Sequence, residues 1–345
     1  MKRIVFVFIL VISFLACKKE KEAQAPTSSQ VIQASSIIVL NEGNFQWGNA
    51  SLSLYNPNTK VVENDVFLRN NNQLPIGDVV QSMIQVGDLG YVVVNNSNKI
   101  RVIDLNNFHS LGSIEPFNSP RYILPIHQNK AYVSDLYEDK LYVVDLVNRS
   151  ILKTIPTHGW TEEMVLVGDK AFVSQVDSSQ VLVFDVVKDS LLKVISTNTS
   201  PQCLEVDVNQ NVWVSCTGGL NSNLASLHQI DSDSLVIRKT LEQSSSSDFI
   251  GEIELNATAD EIYYLTNEGI MKMNIQQTSL PTTPFIPHNN RNLYGFSINP
   301  LNNDIYLIDA VDYQQKGYVY RYLADGSLVD QFQVGIIPGD VFFKN

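Results

Sequence analysis

Side chains that do acid–base, nucleophilic or metal chemistry are sparse in this chain and poorly spaced for it. The five histidines, His109, His127, His158, His228 and His288, form no pair at metal-ligand spacing, and there is no HExxH or CxxC. No GxSxG elbow appears, and no glycine-rich phosphate loop follows a strand-like run. Asp104, Asp145, Asp185 and Asp231 recur at similar intervals and would make a carboxylate ring if they shared one level of a closed structure. Each, however, ends an apolar run, where an aspartate caps the backbone of the following turn. The expectation is a protein that is not an enzyme and that uses no catalytic metal or cofactor. What remains are large aromatics in polar, turn-forming surroundings: Trp47, Trp160 and Tyr313 have no turn-forming reason to sit there. Trp213, in Val212-Trp213-Val214-Ser215, alternates like a strand residue and reads as core.

The elements that must position these residues are set by an internal repeat. Runs at 122–126, 131–134, 141–145 and 151–155 are rich in Ile, Val, Leu and Tyr, with turn formers between them. Residues 164–195 repeat the pattern: Lys170-Ala171-Phe172-Val173-Ser174 answers Lys130-Ala131-Tyr132-Val133-Ser134. The polar residue closing each third run marks further copies. In order these are Asn56, Asp104, Asp145, Asp185, Asp231, Asn274 and Tyr322. Their spacing matches the roughly 40–50 residues of a four-stranded propeller blade. The fold class expected is therefore all-β: a seven-bladed β-propeller of four-stranded antiparallel blades over residues 36–345. The first copy opens on Ile37-Ile38-Val39-Leu40, which matches a second strand, while the C-terminal stretch resembles a blade opening. Residues 339–343 are thus expected to form the innermost strand of the first blade and close the ring.

Before the repeat, residues 1–16 pair a basic start, Lys2 and Arg3, with an apolar run too short to carry a domain through a bilayer, and they read as a signal peptide. Phe14-Leu15-Ala16-Cys17 resembles a bacterial lipobox, which implies lipidation of Cys17 and a lipid anchor. Residues 17–35 then read as the lipidated cysteine and a flexible tether. The formal charge of −12, with no basic run, argues against nucleic acid as a partner. Cys203 and Cys216 flank Asn209-Gln210. A two-residue turn there would place them opposite each other as a cross-strand disulfide; two buried free thiols are the alternative.

Propellers gather the loops entering each first strand, and those joining second to third strands, around one mouth of the channel. Here those loops are rich in amides and aromatics, as in Asn41-Glu42-Gly43-Asn44-Phe45-Gln46-Trp47, Asn95-Asn96-Ser97-Asn98 and His158-Gly159-Trp160-Thr161-Glu162. Rigid aromatics with short amides suit a large, polar, neutral ligand.

The opening Val39-Leu40-Asn41-Glu42-Gly43-Asn44-Phe45, then Asn49-Ala50-Ser51-Leu52 and the repeats, resembles the YncE-like seven-bladed propeller lipoproteins of Bacteroidetes. That group includes the BtuG-type surface proteins that capture vitamin B12. The resemblance implies a non-catalytic protein on the outer membrane, exposed at the cell surface. It would bind a nutrient such as cobalamin or another corrinoid and hand it to a TonB-dependent transporter. On this reading Trp47, Tyr137, Trp160 and Tyr313 are the stacking surfaces, and Asn44, Asn95, Asn96, Arg121, Gln175 and Asn221 the polar contacts. A protein–protein scaffold or adhesin is the alternative, and a propeller hydrolase is the more remote one.

Overall fold

The computed structural model describes residues 36–344 apart from Gln128, Leu220, Asn221, Ser222 and Ser246, so the leader, Cys17 and the tether lie outside the described residues. Within them are seven four-stranded antiparallel sheets, numbered here as blades one to seven in chain order. The third strands end at Asn56, Asp104, Asp145, Asp185, Asp231, Asn274 and Tyr322, the seven positions that the repeat marks. The capping role of the recurrent acids is visible in the hydrogen bonds. Asp145 Oδ1 accepts from the amides of Val147 and Asn148, and Asp185 and Asp231 do the same in their own turns.

Blade one is completed from both ends of the chain. Pro338–Phe343 is its innermost strand and pairs along Ile37–Asn41, with Ile38 opposite Phe342 and Val39 opposite Val341. The inner edge of Ile37–Asn41 is thereby paired, which removes the edge hazard that an unclosed ring would carry. Second strands such as Lys130–Asp135 and Lys170–Gln175 are buried on both faces because each blade is packed between two others. Their side chains form seven apolar clusters, one at each blade-to-blade interface around the ring. Fourth strands face solvent and carry lysines, as in Ser190–Ser196 with Lys193. Charge on an exposed edge discourages pairing with another chain.

The disulfide expected of Cys203 and Cys216 does not form; both are buried free thiols. The turn is longer than two residues. Asp207 Oδ1 accepts from the amides of Asn209 and Asn211, each at 2.9 Å, so the hairpin closes at Val206 and Val212 rather than at Val208 and Asn211. A further register shift between Pro201 and Leu204 puts Pro201, not Cys203, opposite Cys216. The two thiols then lie on opposite faces of blade five, Cys203 toward blade six and Cys216 toward blade four.

Candidate functional site

In most blades the inner strand has a register shift just after its first residue, as between Pro120 and Ile123 or Thr161 and Met164. A bulge re-aims the side chains it displaces. By this register Gln81, Arg121, Glu162 and Tyr294 hold equivalent positions at the mouth of the channel. Arg121 Nε lies 2.9 Å from both carboxylate oxygens of Glu162, and its Nη1 donates to Gln81 Oε1. Trp160 Nε1 donates to Glu162 Oε1 at 2.6 Å. Burial works against the charge on Glu162, and the Arg121 guanidinium beside it opposes that push. Arginine keeps its charge in any protein setting, and the two groups stand at ion-pair distance.

Glu42 completes the mouth from blade one. Its carboxylate lies over Gly339, where an added Cβ would come within 2.8 Å of Oε1. Tyr294 Oη donates to it at 3.1 and 3.2 Å. Burial pushes the Glu42 carboxyl up to about 7, against the Tyr294 hydrogen bond and the attraction of Arg121. Tyr294 is itself held well above the ordinary tyrosine range by burial, so it stays a donor. The mouth can therefore offer a ligand both hydrogen-bond donors and acceptors near neutral pH.

Around this centre stand the loops singled out in the sequence. Trp47, Tyr137 and Phe45 are exposed to 75%, 71% and 59%, and all three lie on second-to-third-strand loops of the mouth face. The Trp47 loop is tied down on both sides. Asn44 Nδ2 donates to the Tyr313 carbonyl at 2.6 Å, and the Gln46 amide donates to Asp78 Oδ2 at 2.8 Å. Asn96 Nδ2 donates to the same Asp78 oxygen at 2.6 Å. Tyr313 meets Tyr294 edge to face at 5.7 Å, which links the rim to Glu42.

Two of the expected polar contacts have other work. Asn95 is buried and donates to Ser119 Oγ and the Pro120 carbonyl; Gln175 is buried and donates to the Thr157 carbonyl. Asn95 fastens the loop that enters the next blade, and Gln175 the loop that enters its own. Asn221 lies outside the described residues. The sequence reading missed Glu42, Gln81, Glu162 and Tyr294 as site residues, along with Phe45. The signal was there for the bulge residues, since each is the second residue of an inner strand in the repeat.

Below the mouth the channel opens into a cavity of about 300 Å3. Glu163, Glu252 and Asp340 share one level of it, and Glu205 and Glu254 the next. Among the described residues no Lys, Arg or His lines this cavity. Burial pushes Glu163 up to about 7 and raises Glu252, Glu254, Glu205 and Asp340, with neighbouring carboxylates adding to the rise in all four glutamates. Backbone amides offset this only in part: Glu163 accepts from Leu204 at 3.1 Å and Glu252 from Phe296 at 2.7 Å. Among the described residues no three His, Cys, Asp or Glu side chains converge as a metal-ligand set.

The architecture is shared with solved structures of low sequence identity. A quinonprotein alcohol dehydrogenase-like protein from Bacteroides thetaiotaomicron aligns with a TM-score of 0.73 at 12% identity, over 90% of this chain and 79% of that one. A functionally unknown protein from Desulfotomaculum acetoxidans gives 0.68 at 11% identity, over 89% of this chain and 98% of the other. Dihydro-heme d1 dehydrogenase NirN gives 0.62 at 10% identity, over 90% and 75%. At these identities the likeness is one of fold alone. No curated protein matches the chain in sequence. Residues 35–342, nearly the whole propeller, match the family described as Domain of unknown function (DUF5074), and the chain belongs to that family.

Proposed function

We propose that the protein is a non-catalytic, lipid-anchored binding protein of the outer membrane surface. It holds a bulky, polar small molecule on the mouth face of the propeller and passes it to a TonB-dependent transporter. The observation that carries this reading is the set of exposed rings, Phe45, Trp47 and Tyr137, on loops pinned by hydrogen bonds around one polar mouth. Exposed large aromatics on a rigid frame supply contact area at low entropic cost, and single-sided exposure of this kind marks a binding face. The mouth itself adds the Arg121–Glu162 pair, the Glu42 carboxyl and Tyr294, which suit amide-bearing groups better than a bare anion. With the lipobox-like Cys17 and the resemblance to corrinoid-capturing lipoproteins, a cobalamin-like nutrient is the ligand class that fits best.

The site assignment is tested by alanine at Trp47 and at Trp160. Each replacement is expected to weaken binding of cyanocobalamin about tenfold or more, since a stacked aromatic contributes on the order of 1–3 kcal/mol. Trp160→Ala also removes the donor to Glu162 and should cost more than Trp47→Ala. Unchanged affinity in both variants would remove the rim from the site.

A further inference from the structure

Blade six breaks the repeat. The fourth strands of blades three to five run seven residues, but here only Ile286–Pro287 pairs, opposite Gly269 and Ile270. The sequence explains the loss. Pro281 and Pro284 have no amide to donate, and the segment before Ile286 leaves the ladder. Leu280 instead packs against the apolar cluster between blades five and six. Between this segment and the end of blade five's outer strand a groove of about 710 Å3 opens, more than twice the volume of the channel cavity.

The lining has one chemical character. Leu241, Phe249 and Met271 supply apolar surface. Around them stand planar acids and amides, among them Glu242, Asp248, Asn267 and Glu268, and the hydroxyls of Thr278 and Ser279. Among the described residues no Lys, Arg or His lines it; His288 and Arg291 belong to a separate 190 Å3 cavity beyond Phe249, Thr266 and Asn267. The tip that carries Asn267 and Glu268 is rigid. Thr266 Oγ1 accepts from the Glu268 amide at 3.2 Å and donates to the Gly269 carbonyl at 3.0 Å, while Asn267 Nδ2 donates to the Ser247 carbonyl at 2.9 Å. Asn267 Oδ1 and the Asp248 and Glu268 carboxylates remain as acceptors facing a space of the size that small-molecule ligands fill.

We infer that this groove, at the blade five and six side of the mouth face and apart from the Arg121, Glu162 and Tyr294 centre, is a second binding site for a short uncharged oligosaccharide. A sugar ring lays its C–H face on Phe249 and its neighbours and gives its hydroxyl protons to the surrounding carboxylates and amide oxygen. Anionic ligands are disfavoured by three carboxylates with no cation among them. The inference does not depend on the ligand of the mouth.

The test is binding of the purified protein to an array of uncharged gluco-, manno-, xylo- and galacto-oligosaccharides beside sulfated and sialylated counterparts. Retention of uncharged oligosaccharides alone is expected. Ser279→Trp, which fills the groove, and Glu268→Ala should each cut that binding about tenfold or more, with the thermal midpoint unchanged. Trp47→Ala should leave it intact. Retention of no uncharged oligosaccharide, retention of charged ones alone, or binding that survives Ser279→Trp would overturn the inference.

Discussion

Gly43 sets where the aromatic loop stands. Its φ of +73° is one that side chains resist, and an added Cβ would meet the Ala50 amide nitrogen at 2.7 Å and the Asn49 carbonyl carbon at 2.8 Å. Backbone cannot swing aside as the end of a side chain can. Gly43→Ala is therefore expected to cost about 1–3 kcal/mol of stability and to loosen the Asn44 and Gln46 anchors. A thermal midpoint lower by several degrees, with weaker ligand binding, is the expected outcome; an unchanged midpoint would mean that the loop is not held as described. At this scale the sequence was readable where chemistry contradicts context. Trp47 and Tyr313 stood out because rings have no place in turns, and both are exposed on the mouth face. Glu42 was not readable as a site residue. Its role depends on Gly339, nearly three hundred residues away, leaving space beneath it, and on Tyr294 pointing across from blade seven.

Among the elements, the closing strand carries the most consequence. Its place was legible because the first copy lacks an innermost run and the C-terminus supplies one; the pairing of Val39 with Val341 bears this out. Removing residues 338–345 would leave the inner edge of Ile37–Asn41 unpaired and strip Val341 from the cluster between blades seven and one. The shortened protein is expected to unfold at a markedly lower temperature or to aggregate through the bared edge; a midpoint within a degree or two of the full chain would contradict the closure. Strand order and type were open to sequence reading because each blade repeats one pattern. Turn length was not. Between Val206 and Val212 the Asp207 carboxylate gathers the amides of a longer turn, and that single difference dissolves the Cys203–Cys216 pairing. The short fourth strand of blade six was equally hidden, because periodicity does not report where prolines have no amide to give a ladder.

For the molecule as a whole, the channel makes stability depend on pH in an uncommon direction. Glu42 and Glu163 are raised to about 7, and Glu205, Glu252, Glu254 and Asp340 are raised too, first of all by burial. An unfolded glutamate titrates near 4.5. Between that value and the raised ones the folded protein holds more protons than the unfolded chain, so stability falls as pH rises. The contribution is fully present below about 4.5 and is lost as the pH climbs through the folded values. Turn-capping Asp145, Asp185 and Asp231 act in the opposite sense, because hydrogen bonds from turn amides hold them low. Their contribution is lost only as the pH falls below the ordinary carboxylate range. The thermal midpoint is therefore expected to be higher at pH 5 than at pH 8, and Glu205→Gln should flatten the difference. A midpoint that rises from pH 5 to pH 8 would show that the channel carboxyls titrate normally.

The central claim is that the mouth face holds a bulky polar nutrient, and calorimetric titration of the purified protein with cyanocobalamin tests it most directly. Saturable one-to-one binding, lost with the rim tryptophans, is the predicted result. No heat and no thermal shift at any concentration would contradict the cobalamin-like assignment and return the exposed rings to a protein partner.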